Sequence, residues 1–154
     1  MSATIHVHSR LAAPIAEVWA HASSMIGINR ELMPIVRMTH PRETASLADV
    51  DAVPLDQLLF RSWILLFGLI PIDRHMLRLR ALDPPHGFHE DSWSWMQRRW
   101  QHRRTLAAID ETHTRVDDIV EFEPRFGGAW LLRPIYQRVF EHRHAVLRRR
   151  FGSG

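Results

Sequence analysis

Hydrophobic and polar positions change their period along the chain, and each change predicts a new element. Residues 4–11 alternate between apolar and polar side chains, with Ile5, Val7 and Leu11 on one face, which is typical of a half-buried strand. Pro14 then suits the first turn of a helix, and apolar residues follow from Ile15 at i, i+3, i+4 and i+7. The pattern therefore predicts a strand followed by a short amphipathic helix.

A second short helix and a run of strands follow. Ser23 or Ser24 can cap a helix that runs to about residue 32 and ends before Pro34. The connection at 41–57 is long enough to be functional or mobile, and the hairpin turn at 68–71 has an unusually apolar tip. Strand-like segments are predicted at 35–40, 58–67, 72–82, 88–96, 99–109 and 114–123.

The end of the chain is predicted to be one helix over 129–151, irregular before Pro134, regular after it and stopped by Gly152. Arg143 lies in the middle of its apolar stripe. A charge that faces a core is costly unless it is paired. Arg143 is therefore a structural cation that is ion-paired or snorkels, or it meets an anionic or carbonyl-bearing ligand. The stripe consists of Leu132, Tyr136, Val139, Phe140, Val146 and Leu147.

This order of elements resembles the SRPBCC superfamily of START, polyketide cyclase and Bet v 1-like proteins, and is closest to its uncharacterised bacterial cyclase-like or ligand-binding members. The resemblance covers nearly the whole chain. It implies one domain over 1–154 with the α+β helix-grip fold: a curved antiparallel sheet wrapped around a long C-terminal helix, with two short helices after the first strand and a central cavity. The superfamily has no universal catalytic motif, so it assigns no catalytic residue. The segments that carry it are 13–19, 87–90, 100–104, 114–118 and 140–144 with Leu147.

Strand parity predicts which polar side chains enter that interior. Gln101, Arg103 and Thr105 are expected to face solvent, so alternation places residues 100, 102, 104, 106 and 108 on the inward face. By the same alternation, Asp118, Glu90 and Ser92 share the inward face with apolar residues of their own strands. Trp93 and Trp95 are expected to narrow the cavity. The predicted ligand contacts are Glu90, Trp100, His102, Arg104, Asp118, Phe122, Tyr136, Phe140 and Arg143. A buried salt-bridge network with a purely structural role explains the same charged residues equally well.

Composition excludes several kinds of chemistry. All 20 basic residues are arginine and cysteine is absent, which excludes lysine Schiff bases, cysteine nucleophiles and thiolate zinc sites. His6 and His8 share a strand face without further ligands, and His142 and His144 point in different directions on a helix, so no metal and no cofactor is expected.

The sequence pI of 10.8 favours nucleic-acid binding, but the formal charge is only +3. With no lysine, no cysteine and one tyrosine, almost nothing titrates between histidine and arginine. The arginine pairs at 98–99 and 103–104 are divided between two strand faces, so we expect no nucleic acid partner.

No secretory signal follows Met1, and the longest apolar stretch, at 63–72, is broken by Gly68 and Pro71. A cytoplasmic location is therefore expected. The apolar hairpin at 67–71 can close the cavity mouth, form a homodimer interface or make a transient membrane contact.

Three functions remain open. The leading one is binding or carrying a small hydrophobic or amphipathic ligand in the central cavity. The second is a polyketide cyclase/dehydratase-like enzyme that uses His102 or Glu90 as acid or base and an arginine to stabilise an enolate. The third is a partner-binding module that uses the apolar hairpin.

Overall fold

The computed structural model describes residues 2–42, 46 and 53–154. Strands and helices follow in the predicted order. They are β1 (Ala3–Leu11), α1 (Ile15–Ala22), α2 (Met25–Leu32), β2 (Val36–Met38), β3 (Leu58–Leu66), β4 (Ile70–Asp83), β5 (Gly87–Ser94), β6 (Gln97–Ala108), β7 (Thr114–Pro124) and α3 (Ala129–Phe151).

The seven described strands form one antiparallel sheet in the order β1-β7-β6-β5-β4-β3-β2. β1 pairs with β7, so the first and last strands of the chain are neighbours, and the short β2 forms the opposite edge. Register shifts within β3–β4, β4–β5 and β6–β7 mark irregularities that bend a sheet. α3 packs mainly on β1, β7 and α2, which places the helix across the curled sheet. The predicted α+β helix-grip fold is confirmed.

Local sequence explains the helix boundaries. The Ser24 side chain accepts a hydrogen bond from the Gly27 amide at 2.9 Å and caps α2. The expectation that α3 is irregular before Pro134 was wrong, because the helix is continuous from Ala129. Pro34 follows Met33, the C-cap of α2, where a residue without an amide hydrogen cannot continue the helix. Of the predicted connection at 41–57, residues 43–45 and 47–52 lie outside the described residues.

A polar layer separates two of the three hydrophobic clusters of the described interior. Along β7, Val116 belongs to one cluster, Val120 to the other, and Asp118 stands between them. The same order occurs on α3, where Leu147 and Phe140 flank the polar pair Arg143 and His144. It recurs on β6, where Leu106 and Trp100 flank His102 and Arg104. The polar layer is therefore built into the sheet and the helix at the same level.

No helix among the described residues is long and apolar enough to cross a membrane.

Candidate functional site

Arg104 is the centre of the polar layer. It is 1% exposed, and its guanidinium donates to both oxygens of Asp118 at 2.8 and 2.7 Å and to both oxygens of Glu31 at 3.1 and 2.7 Å. Burial opposes ionisation of these two carboxyls. The charge of Arg104, the neighbouring positive charges and the hydrogen bonds together outweigh that cost, and the pKa of each carboxyl lies below its ordinary value. One guanidinium therefore holds two buried carboxylates in fixed positions.

Arg143 supplies the second buried positive charge. Its Nε donates to Glu31 at 3.1 Å, and its guanidinium carbon lies 5.1 Å from the centre of the Phe140 ring. Burial lowers the pKa of Arg143, and the carboxylate of Glu31 counteracts that effect. Its two terminal nitrogens donate no hydrogen bond to any described residue. These nitrogens are not among the fully buried atoms without a partner, so Arg143 keeps unused donors that border a small accessible space.

His144 connects the polar layer to the outer surface. Its Nε2 lies 2.7 Å from an Asp118 oxygen, and its Nδ1 lies 2.7 Å from the Ser9 hydroxyl. The ionised Asp118 can only accept, so it accepts from His144 Nε2, and the Ser9 hydroxyl donates to Nδ1 while accepting from the exposed Arg148 at 2.8 Å. This pattern fits a neutral ring with its proton on Nε2. In agreement, burial lowers the pKa of His144.

His102 and Glu90 form the other branch of the layer. His102 Nε2 donates to Asp118 at 2.7 Å, and its Nδ1 lies 3.9 Å from a Glu90 oxygen. The second Glu90 oxygen is 2.5 Å from His75 Nε2. Burial raises the pKa of the Glu90 carboxyl, but His75, His102 and the Ser92 hydrogen bond together outweigh burial, and the net pKa is lowered. Asp118 thus orients an imidazole whose second nitrogen faces a buried carboxylate.

An aromatic cluster fills the adjoining part of the interior. The Trp100 ring centre lies 5.1 Å from that of Tyr136, 6.1 Å from Phe122 and 6.4 Å from Phe140. The Phe140 ring meets His102 edge to face at 5.1 Å. This wall of flat side chains therefore continues directly into the polar layer.

All nine predicted ligand contacts lie on the inner side of the sheet or on the inward stripe of α3. The structure joins the five polar ones in one hydrogen-bonded or electrostatically coupled layer. Three expectations about neighbouring positions were wrong. Ala108 is exposed because it ends β6 beyond the core. Trp93 lies on the outer face beneath Arg78, and Trp95 is exposed against Trp63, so neither narrows the interior.

Five further polar residues of the interior were not predicted, although strand alternation or helical spacing indicates that each of them faces inward. Glu31 lies on the inward side of α2, and Ser9 follows the inward alternation of β1. His75 follows the inward alternation of β4. His144 occupies the same apolar stripe as Arg143, and Gln97 begins β6 on its buried side.

The described residues form two surface depressions on the outer face of the sheet, and neither lies between the sheet and α3. One, of about 110 Å³, is lined by His89, Gln101, Arg103, Ile119 and Glu121. The other, of about 460 Å³, is lined by Arg78, Asp91, Ser92, Trp93, Arg98, Arg99 and Glu123. Both are lined mainly by charged and polar residues, unlike the aromatic part of the interior.

Large apolar side chains are exposed at one end of the molecule. Because neighbouring strands are antiparallel, the β3–β4 hairpin, the β5–β6 turn and the β7–α3 connection all meet at this end with the start of α3. We call the following residues the apolar end: Phe67, Leu69, Ile70, Ile72, Trp95, Met96, Phe126, Trp130, Leu131 and Ile135. Such a concentration typically marks a binding surface.

The face of α3 that carries Leu131 and Ile135, two residues of the apolar end, points towards the β3–β4 hairpin. Leu131 and Ile135 precede His142 by eleven and seven residues, so all three share a helix face. His142 donates to the Met33 carbonyl at 2.7 Å, and the Met33 side chain packs beside Gly68 at the hairpin tip. Leu131 and Ile135 therefore lie on the side of α3 that is turned towards the hairpin.

Comparisons with solved structures find the same fold at low sequence identity. Protein CV1439 from Chromobacterium violaceum is 15% identical with a TM-score of 0.67, covering 94% of this chain and 96% of the other. A START superfamily protein from Mycobacterium smegmatis is 9% identical with a TM-score of 0.61, covering 96% of both. The Zhui aromatase/cyclase from Streptomyces sp. R1128 is 13% identical with a TM-score of 0.63, covering 96% and 92%.

A search of curated proteins gives no match. A family model described as "Domain of unknown function" (DUF8410) matches residues 9–151.

Proposed function

Because the chain belongs to the DUF8410 family and has the helix-grip fold of START superfamily proteins, we propose that it binds a small hydrophobic or amphipathic molecule between α3 and the sheet. The observation that carries this proposal is the incomplete hydrogen bonding of the buried Arg143. The residue is 5% exposed, and among the described residues its guanidinium hydrogen-bonds only through Nε. The terminal nitrogens can therefore receive a carboxylate or carbonyl oxygen without breaking an existing hydrogen bond.

The surroundings of Arg143 suit an apolar body. Phe140 packs against its guanidinium, and Trp100 and Tyr136 extend the aromatic wall towards the apolar end. Apolar walls with a few placed polar groups are the usual composition of small-molecule sites. The apolar end provides the route of entry, since its exposed side chains lie where α3 faces the β3–β4 hairpin.

Charge balance explains why the rest of the polar layer does not need the ligand. Glu31 and Asp118 balance Arg104 and Arg143, and Glu31 keeps both of its hydrogen bonds from Arg104 if Arg143 is removed. Loss of Arg143 also leaves one buried negative charge unbalanced, so we expect it to cost about 3–5 kcal/mol of folding free energy. Urea unfolding of the variant is therefore measured beside ligand retention, so that loss of binding is separated from loss of folding.

The test is native mass spectrometry of the purified protein and of Arg143→Met. Arg150→Met is the matched control, because Arg150 lies on the same helix above the Phe151 ring but is exposed. We expect a bound molecule in the parent protein and in Arg150→Met, and its loss in Arg143→Met. No bound molecule in the parent protein, or equal retention by both variants, would overturn the proposal.

A cyclase-like enzyme is the second candidate, and the geometry of His102 favours it. Asp118 accepts from one ring nitrogen of His102, while the other nitrogen faces Glu90. An imidazole oriented by a carboxylate is the arrangement that general bases use. If this function holds, an added polyketide-like substrate loses one water as it cyclises and dehydrates on the parent protein, whereas His102→Gln binds the same substrate without that loss of mass. Equal conversion by both proteins would exclude the role of His102.

A further inference from the structure

Gln97 is buried with an incomplete set of hydrogen bonds. Its side chain amide donates to the Tyr136 hydroxyl at 2.8 Å, and its carbonyl oxygen has no partner among the described residues. Turning the amide over would let the carbonyl accept from Tyr136, but it would leave the NH₂ group unpaired instead. In either orientation, one half of a side chain that is 2% exposed lacks a partner.

An unpaired amide group at this depth is unfavourable for folding. Leaving a buried donor or acceptor without a partner costs about 1–3 kcal/mol, and native proteins contain few such groups. Burial also raises the pKa of Tyr136 to about 12, so its hydroxyl keeps its hydrogen at neutral pH. Gln97 and Tyr136 together therefore present one acceptor and one donor that the fold itself does not use.

The Gln97–Tyr136 pair lies on the same side of α3 as Arg143. Tyr136 precedes Arg143 by seven residues on α3, which places it on the same helix face and about 10 Å further along the axis. The Trp100 ring lies between, 5.1 Å from Tyr136 and 6.4 Å from Phe140. Gln97 begins β6 directly after the β5–β6 turn at the apolar end. The pair thus stands between the route of entry and the buried guanidinium.

We propose that Gln97 and Tyr136 form a second polar subsite that receives a hydroxyl group of the ligand. This inference rests on the proposed binding function and specifies the ligand class: a flat aromatic acid or carbonyl compound with its acceptor oxygens at Arg143 and a hydroxyl at the opposite end. The hydroxyl donates to the Gln97 carbonyl and accepts from Tyr136. The aromatic body packs along Trp100 and Phe140.

The experiment compares two probes that differ by one hydroxyl, biphenyl-4-carboxylic acid and 4'-hydroxybiphenyl-4-carboxylic acid, whose carboxylate and hydroxyl lie at opposite ends of a rigid body. Isothermal titration calorimetry measures both affinities. We expect the hydroxylated probe to bind the parent protein about tenfold more tightly, which corresponds to 1.4 kcal/mol. We expect this preference to disappear in Gln97→Met and to fall in Tyr136→Phe.

Gln101→Met is the control, because Gln101 lies on the same strand but lines the depression on the outer face. It should keep the tenfold preference. Equal binding of both probes by the parent protein, or an unchanged preference in Gln97→Met, would overturn the subsite and leave the binding function intact. Failure of both probes to bind would count against the binding function itself.

Folding of Gln97→Met can be checked independently. The variant removes an unpaired polar group and leaves the Gln97 backbone hydrogen bond to Ser94 in place. It should therefore be at least as stable to urea as the parent protein. A destabilised variant would show that Gln97 serves the fold rather than a ligand.

Discussion

Arg104 and Asp118 occupy directly opposed positions on β6 and β7 and form a two-pronged ion pair, with Nε–Oδ1 at 2.8 Å and Nη2–Oδ2 at 2.7 Å. The remaining donors of Arg104 point away from the sheet to Glu31 on α2. The same guanidinium therefore ties the sheet to the helical layer. Such a geometry suits arginine, because the planar fork binds two carboxylates at once.

Replacing Arg104 should be far more harmful than replacing its neighbour. Arg104→Met leaves two buried carboxylates without their main partner, so we expect a loss of about 3–5 kcal/mol in the free energy of unfolding. Arg103→Met, at an exposed position on the same strand, should change it by less than about 0.5 kcal/mol. Urea unfolding followed by tryptophan fluorescence measures both. Similar values for the two variants would show that the ion pairs contribute little.

Arg104→Lys separates charge from geometry. The ammonium keeps the positive charge but cannot match both carboxylates with a planar fork. Its stability should therefore fall between those of the parent protein and Arg104→Met. A lysine variant as stable as the parent protein would show that only the charge matters.

Much of the interior could be predicted because strand parity is a local property. Arg104, Asp118 and His102 each alternate with solvated neighbours, so their inward direction follows from a few residues on either side. Partners from other elements could not be predicted in this way. Glu31 reaches Arg104 across 73 positions, and only the packing of α2 against α3 brings it there.

The unpaired amide of Gln97 lay beyond sequence reasoning for a different reason. Alternation can place Gln97 on the buried side of β6, but it cannot count the hydrogen bonds available there. The partner Tyr136 is 39 positions away, and its hydroxyl meets only one half of the amide. Hydrogen-bond satisfaction is a property of the assembled interior.

Stability should begin to fall below pH 6.5 because of His144. Burial lowers the pKa of this histidine from its ordinary value of 6.5, so the unfolded chain binds a proton before the folded chain does. The resulting loss of stability starts as the pH falls through 6.5 and ends below the lowered pKa. Asp118 and Glu31, whose pKa values are also lowered, add acid sensitivity only below their ordinary values of 3.8 and 4.5.

His144→Gln tests this assignment. The glutamine amide can donate to Asp118, and its carbonyl can accept from Ser9, so both hydrogen bonds of His144 have a replacement. Urea unfolding at several pH values between 5 and 7.5 should show a smaller slope for this variant than for the parent protein. Equal slopes would assign the pH dependence to another histidine.

The tip of the β3–β4 hairpin should be dispensable for folding. Leu69 is 81% exposed, so Leu69→Asp should change the free energy of unfolding by less than about 0.5 kcal/mol. If the apolar end serves ligand entry, the parent protein and the variant sediment alike in analytical ultracentrifugation. A faster-sedimenting parent species that Leu69→Asp dissociates would favour the alternative of a partner-binding hairpin.

Gly87 should be the least replaceable of the positive-φ glycines at the strand ends. Its φ of +135° is one that side chains rarely adopt, and a Cβ atom added there would overlap the Arg104 carbonyl oxygen. Gly87→Ala must therefore push the start of β5 away from β6 beside Arg104, the centre of the polar layer.

Gly127 is the control. It also has a positive φ, of +74°, but an added Cβ would meet no heavy atom of the described residues within 4 Å. Backbone strain alone should cost Gly127→Ala about 1 kcal/mol. Urea unfolding measures the loss of unfolding free energy in both variants. The extra loss in Gly87→Ala is the contribution of the close approach of β5 to β6, and equal losses in the two variants would contradict this prediction.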